Sequence, residues 1–249
     1  MDGSEQGKWT RAVQRTRRNV LAAASLFTSA GLTALLGSSK SANAAVCFLK
    51  GTRIWTPNGE IRVEDLRMND HVVTISGGAK PIKWIGRLRF RSTEENAPIR
   101  VAQSALGPNN PHRDLYLSGA HSLYLDGVLV PVVHLVNDQT IVRCQADRGE
   151  IEYFHVKLEW HDIIFAEGVA CETLLGGAGV MSCYNFKEYQ ELYGDFVDEP
   201  PCAPVLEYNG GRSAIKGRIR SAISPLIDVR TKLEIVRDNL EERAAAHVQ

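Results

Sequence analysis

The sequence predicts an all-β body followed by a helical tail. Three observations carry this. From Cys47 to about Leu175, short apolar stretches alternate with turn residues. Two of those turns, Pro57-Asn58-Gly59 and Asp126-Gly127, sit between apolar stretches and read as β-hairpins. Beyond Ser213, apolar residues recur at three- and four-residue spacing, the period of a helix. The 249 residues are enough for one domain with appendages. A composition 44% hydrophobic and 23% charged is that of a globular protein, and a formal charge of +0 gives no global attraction to nucleic acid. There is no solenoid-period repeat, P-loop or GxGxxG run, so no nucleotide cofactor is expected.

Residues 1–44 read as an export signal rather than structure. Basic residues, ending in Arg17-Arg18, precede the mostly apolar run Leu21 to Leu36, and Ala42-Asn43-Ala44 has the small-residue pattern of a cleavage site. The paired arginines resemble a twin-arginine signal, with Val20 where Phe is usual. Lys40 near the cleavage site also disfavours the general secretory route. The expected location is therefore periplasmic or secreted. The alternative is an uncleaved anchor formed by residues 19–37, a run diluted by Ser, Thr and Gly. In an oxidising compartment, Cys144, Cys171, Cys183 and Cys202 have three possible pairings into two bridges; equally, some are small buried hydrophobes. No CxxC spacing occurs, so no structural zinc is expected.

The body, residues 45–176, is read in order. Gly51 to Thr56 and the return through Ile61 and Val63 form the first hairpin. Glu64 to Asp70 makes a tight turn in which Asn69 takes positive φ and Asp70 caps. His71–Ile75 and Lys83–Phe90 are strands, with Ser76-Gly77-Gly78 turning between them. Leu123–Leu125 and Val128–Val130 flank Asp126-Gly127, and Ile151–Leu158 and Ile163–Ala166 follow. Residues 177–211 are an extension and linker holding one short helix, Asn185 to Tyr193. Residues 212–249 are the helical tail. There, Asp228 is the expected N-cap of a segment whose Val229, Leu233, Val236 and Leu240 form a stripe for the body or for a second copy.

Cys47 is the first candidate for chemistry. A thiol at the start of a folded domain, behind a short flexible chain, can attack its own upstream peptide bond, here the Val46 carbonyl. An amide is more stable than a thioester, so this step needs help. The departing Cys47 nitrogen must be protonated, and the amide held polarised or strained. Ser118-Gly119-Ala120-His121 offers a hydroxyl to hold the peptide and an imidazole to supply the proton near neutral pH. His155 and His161, six apart, are further candidates; a metal reading would join them with His112 or His134.

These blocks resemble one family. Cys47-Phe48-x-x-Gly51-Thr52-x-Ile54-x-Thr56-Pro57-x-Gly59, Val63 to Leu66, Ser118-x-x-His121 and His161-x-x-Ile164-x-Ala166-Glu167-Gly168 look like the Hint domain shared by hedgehog autoprocessing domains and inteins, in its bacterial form. The resemblance covers roughly Cys47 to Leu175. It implies a flat, disc-like fold with a pseudo-two-fold pair of β subdomains. It also implies catalytic roles for Cys47, Ser118 (in place of Thr) and His121, with His161 at the histidine of the late block. His155 stands about where many members place an Asp or Cys.

Splicing needs a terminal His-Asn pair. Glu172 and Thr173 lie where the block would put it, so only cleavage on the N-terminal side of Cys47 is expected. The substrate would be the chain's own N-terminal segment, with water or a thiol resolving the thioester in a single turnover. No cofactor, metal or nucleic acid is implied. Two other readings stay open: a catalytically silent exported module that binds or self-associates through its tail, and a Cys-His hydrolase acting on other molecules.

Overall fold

The computed structural model describes residues 46–146, 149–176, 178–194, 199–206 and 232–247. The leader, the expected anchor, the linker after residue 206 and the first tail segment, including Asp228, lie outside the described residues. No helix among the described residues is long and apolar enough to cross a membrane.

The regular elements of the body are strands, apart from one 3-10 turn at Val132–Leu135. In chain order these are β1 (Phe48–Leu49), β2 (Arg53–Thr56), β3 (Gly59–Arg62), β4 (His71–Val73), β5 (Ala79–Pro81), β6 (Trp84–Arg91) and β7 (Ile99–Val101). They continue with β8 (Leu115–Leu117), β9 (Ser122–Leu125), β10 (Val128–Pro131), β11 (Ile141–Arg143), β12 (Glu150–Lys157), β13 (Ile163–Ala166) and β14 (Val169–Glu172). One six-stranded sheet runs β11-β7-β8-β1-β12-β6, and a second runs β10-β9-β14-β13-β2-β3. The β4-β5 hairpin stands apart. This is the expected all-β class with a helical tail.

Local chemistry explains most of these elements. Asn69 has φ 70°, and the Asp70 carboxylate accepts the Arg67 N–H at 2.8 Å, closing the expected turn. Asp126 (φ 49°) and Gly127 (φ 85°) join β9 to β10 in the left-handed conformation that a two-residue hairpin requires. Glu167 and Gly168 repeat those values between β13 and β14. In the first hairpin Gly59 is not a turn residue but the first residue of β3, paired with Thr56, so Pro57-Asn58 forms the loop. Val63, Leu66, Val72, Ile82, Leu117 and Leu123 fill the main core.

Among the described residues, two α-helices follow the body. Helix α1 (Phe186–Tyr193) follows Asn185, whose side chain bonds the backbone on both sides of Gly86 on β6: Oδ1 accepts the Arg87 N–H, and Nδ2 donates to Ile85 O, each at 2.9 Å. Helix α2 (Lys232–His247) sends Val236 and Leu240 into the main core, and Arg243 bonds the Leu106 carbonyl. Of the two expected uses of the tail stripe, packing on the body is the one observed.

Candidate active site

Strand register assembles the site. β1 lies between β8 and β12, with Phe48 opposite both Leu117 and Phe154. One residue back along antiparallel neighbours, Cys47 therefore faces Ser118 on one side and His155 on the other. His155 pairs in turn with Gly86 of β6. Directly opposed residues point to the same face of a sheet. Ser118, Cys47, His155 and Gly86 thus form one row across four strands, although 71 residues separate the first two and 108 separate Cys47 from His155.

Both ends of the Val46–Cys47 peptide are held. The Cys47 N–H donates to Ser118 Oγ at 2.9 Å, and Ser118 N–H donates to Cys47 O at 3.0 Å. On the other side, His155 Nδ1 bonds the Val46 carbonyl, while its Nε2 lies 3.7 Å from Cys47 Sγ. A carbonyl can only accept, so Nδ1 carries the ring proton. In the neutral imidazole Nε2 then presents its lone pair to the thiol. Burial pulls the His155 pKa down to about 4, against a smaller upward pull from the Val46 carbonyl, so the neutral form prevails near pH 7. The fully buried Cys47 thiol is pushed well above its usual pKa, first by burial and second by the nearby Cys183; the Ser118 hydroxyl acts weakly the other way.

Ser118 and His121 are joined by a tight turn, with His121 N donating to Ser118 O at 3.1 Å. The His121 ring packs 4.3 Å from the Phe48 ring. Neither of its nitrogens has a hydrogen-bond partner among the described residues. Burial lowers its pKa to about 4, while the Glu172 carboxylate and the Cys47 and Glu172 backbones pull it upward.

His161 is not brought to Cys47. Its Nδ1 accepts the Cys202 N–H at 2.9 Å, which leaves the proton on Nε2, 3.4 Å from Glu172 Oε2. Those two groups lie within ion-pair distance but without hydrogen-bond alignment. Glu172 also accepts the Ser122 N–H at 2.7 Å and lies between the fields of His161 and His121. Despite its burial, its pKa is lowered by these partners. From the sequence, Glu172 stands where splicing would need another residue and could, like Glu167, be buried and paired, although no residue pattern marks it so. Its role as the buried carboxylate behind His121 had no sequence signal, because β14 itself was not foreseen.

Among the described residues, the histidines suggested as joint metal ligands form no common cluster. His112 instead joins Glu60 and Glu167, with donor atoms within 4.8 Å of one another. Arg113 Nη1 already bonds both carboxylates at 2.9 Å, so a permanent cation fills this position. All five cysteines are free thiols, and the bridged alternative is not observed. Cys171 is a small core residue of β14.

The family model for the Hint domain matches residues 46–178, more than half of the chain. The chain belongs to the Hint-domain family. Among solved structures, this Hint domain is similar to a bacterial intein-like domain from Clostridium thermocellum, at 14% identity and a TM-score of 0.41. That match covers 51% of this chain and 97% of the other. It is also similar to a DnaB intein from Synechocystis sp. PCC 6803, at 12% identity and a TM-score of 0.37, with 51% and 97% covered. No curated protein matches.

Proposed function

We propose that this Hint domain processes itself: Cys47 attacks the Val46 carbonyl, an N–S acyl shift gives a thioester, and the chain is cleaved on the N-terminal side of Cys47 without splicing. The observation that carries this reading is the single imidazole of His155, which touches both the thiol and the carbonyl that the thiol would attack. In this reading Nε2 takes the thiol proton as the Sγ–C bond forms, and Nδ1–H steadies the oxygen as it becomes negative. Ser118 holds the departing nitrogen in line. The proton lost by Sγ stays on His155, and Cys47 N takes a separate proton as the C–N bond breaks. His121 is the proposed donor for that last step: its depressed pKa makes its protonated form scarce at pH 7 but strongly acidic. His161 acts at one remove, through Glu172. Residues 45–176 are the proposed processing unit, and the leader is the proposed export signal and substrate.

The test is a reporter fused ahead of residue 45, incubated with and without dithiothreitol and followed by intact mass. Thiol-stimulated loss of the reporter at Cys47, absent in Cys47→Ala, is the expected result. An intact fusion in a folded protein refutes it. That outcome would favour the second reading, a catalytically silent module, for which the complete burial of Cys47 is the supporting observation.

A further inference from the structure

The family match ends at residue 178, yet two later pieces of the chain reach the site. The first is a 3-10 turn (Ala178–Ser182) with helix α1, which packs Val180, Cys183 and Tyr189 into one buried cluster with Cys47, Trp84 and Tyr153. Its Cys183 sulfur takes the space beside Gly86, where an added Cβ would meet it at 2.8 Å. This piece covers the nucleophile by packing. The second piece, residues 199–206, reaches His161 by hydrogen bonds.

That second piece is tied down at both ends. Glu199 and Lys157 form an ion pair, with the two side chains only 8% and 12% exposed. Val205 lies beside β10 in a parallel bridge: Leu129 N donates to Pro204 O and Leu206 N to Leu129 O, each at 2.8 Å. Leu206 then packs against the main core. Between these anchors the segment holds His161. Glu199 Oε2 accepts the His161 N–H at 3.1 Å, and the Cys202 N–H donates to His161 Nδ1 at 2.9 Å. Of the three nitrogens of this buried histidine, the segment serves two. Glu172 of the family domain faces the third, Nε2, at 3.4 Å.

The bond to Nδ1 decides a tautomer. A ring nitrogen that accepts a hydrogen bond carries no proton, so in the neutral imidazole the proton sits on Nε2 and faces Glu172. A carboxylate can only accept. With the proton on Nδ1 instead, the Nε2 lone pair would face the lone pairs of a buried carboxylate, and the carboxyl group would have to take up a proton to relieve them. Burial pushes the Glu172 pKa up, but the His161 ring, ahead of its other partners, helps bring it below the ordinary value. The same carboxylate accepts the Ser122 N–H at 2.7 Å, one residue from His121, and its charge opposes the effect of burial on His121. The other charges around His161 are paired: Asp162 with Lys80 at 2.7 Å, and Glu199 with Lys157.

We propose that residues 199–202 are a positioning strap for the processing site: they fix His161 in the Nε2–H tautomer and so keep Glu172 ionised behind His121. This rests on the acyl shift proposed above, in which His121 gives the proton to Cys47 N. Cys202 acts through its backbone N–H and not through its thiol. The working unit thus extends past the family domain into a segment that the family pattern does not contain.

The experiment uses the full chain from residue 45 behind the reporter. Cys202→Pro deletes the N–H donor, and Cys202→Ala keeps it. Ring-nitrogen NMR of histidine-labelled protein, with Cys47→Ala so that the chain stays whole, reads the His161 tautomer. Dithiothreitol-induced release, with Cys47 present, reads the rate. With the strap intact, His161 should be the Nε2–H tautomer alone. Cys202→Pro should show both tautomers and release the reporter about tenfold more slowly, a part of what a general acid contributes. Cys202→Ala should return both readouts to those of the unaltered strap. Should Cys202→Pro not fold, Glu199→Ala frees the strap at its other contact with His161 and is expected to do the same. An Nδ1–H tautomer with the strap intact overturns the proposal, and so does an unchanged rate in a folded strap variant; the acyl shift stands in both cases. No release from the chain with Cys47 and an intact strap overturns the acyl shift and takes the strap's role with it, whatever the tautomer.

Discussion

Acidification from pH 8 to pH 5 should strip this protein of much of its stability, and two buried histidines set the size of the effect. His121 and His155 each fall from an ordinary pKa of 6.5 to about 4, in both cases chiefly through burial. Between those limits the unfolded chain binds protons that the folded chain refuses, so stability is complete above pH 6.5 and drains away as pH falls toward 4. For one such group the loss between pH 8 and pH 5 is about 2 kcal/mol, and for both together about 4 kcal/mol. A charge on His121 also opposes protonation of His155, which keeps His155 neutral further into acid. Small domains are stable by about 5 to 15 kcal/mol, so this loss should remove between about a quarter and most of the stability without by itself unfolding the protein at pH 5. The lowered carboxylates Glu152, Asp162 and Glu172 act in a lower window, losing their contribution below their ordinary values of 4.5, 3.8 and 4.5. Urea unfolding followed by circular dichroism at half-unit pH steps measures the slope directly. His155→Phe should halve the slope between pH 8 and pH 5, whatever it does to absolute stability. A wild-type stability that is flat across this interval would refute the reasoning.

Two more outcomes follow from the same row of residues. Ser118→Ala leaves the buried Cys47 N–H without its acceptor, and should cost about 1 to 3 kcal/mol in chemical denaturation. It should also slow thiol-induced cleavage about 10- to 100-fold, with Ser118→Thr restoring most of both. Gly86→Ala drives a methyl group into Trp84 and Cys183 and should lower stability by about 1 to 3 kcal/mol in thermal melts. The same change should make Cys183 react faster with a maleimide, because the displaced sulfur must move toward solvent.

Much of the fold was legible because its turns announce themselves. Asn69, Asp126 and Gly127 each adopt the positive φ that their residue types tolerate, and the strands they join were foreseen. The hairpin at Glu167-Gly168 was missed because Glu seldom takes φ 49°, and β14 was missed with it. β7, β8 and β11, three residues each, are too short for alternation to be seen in sequence. The first helix of the extension was foreseen within a residue, but its position over the nucleophile was not.

The sequence alone determined that Cys47 opens the folded body, that Ser118 and His121 stand three apart, and that the pair needed for splicing is missing. These are matters of residue type and local spacing. Only the tertiary structure decided which distant groups meet. Strand register set His155 against both the thiol and the carbonyl, sent His161 to Glu172 instead, and left a gap at Gly86 for Cys183 to fill. The physical reason is that a sheet aligns residues by backbone hydrogen bonding between strands, and a slip of one residue would turn each of these side chains to the opposite face.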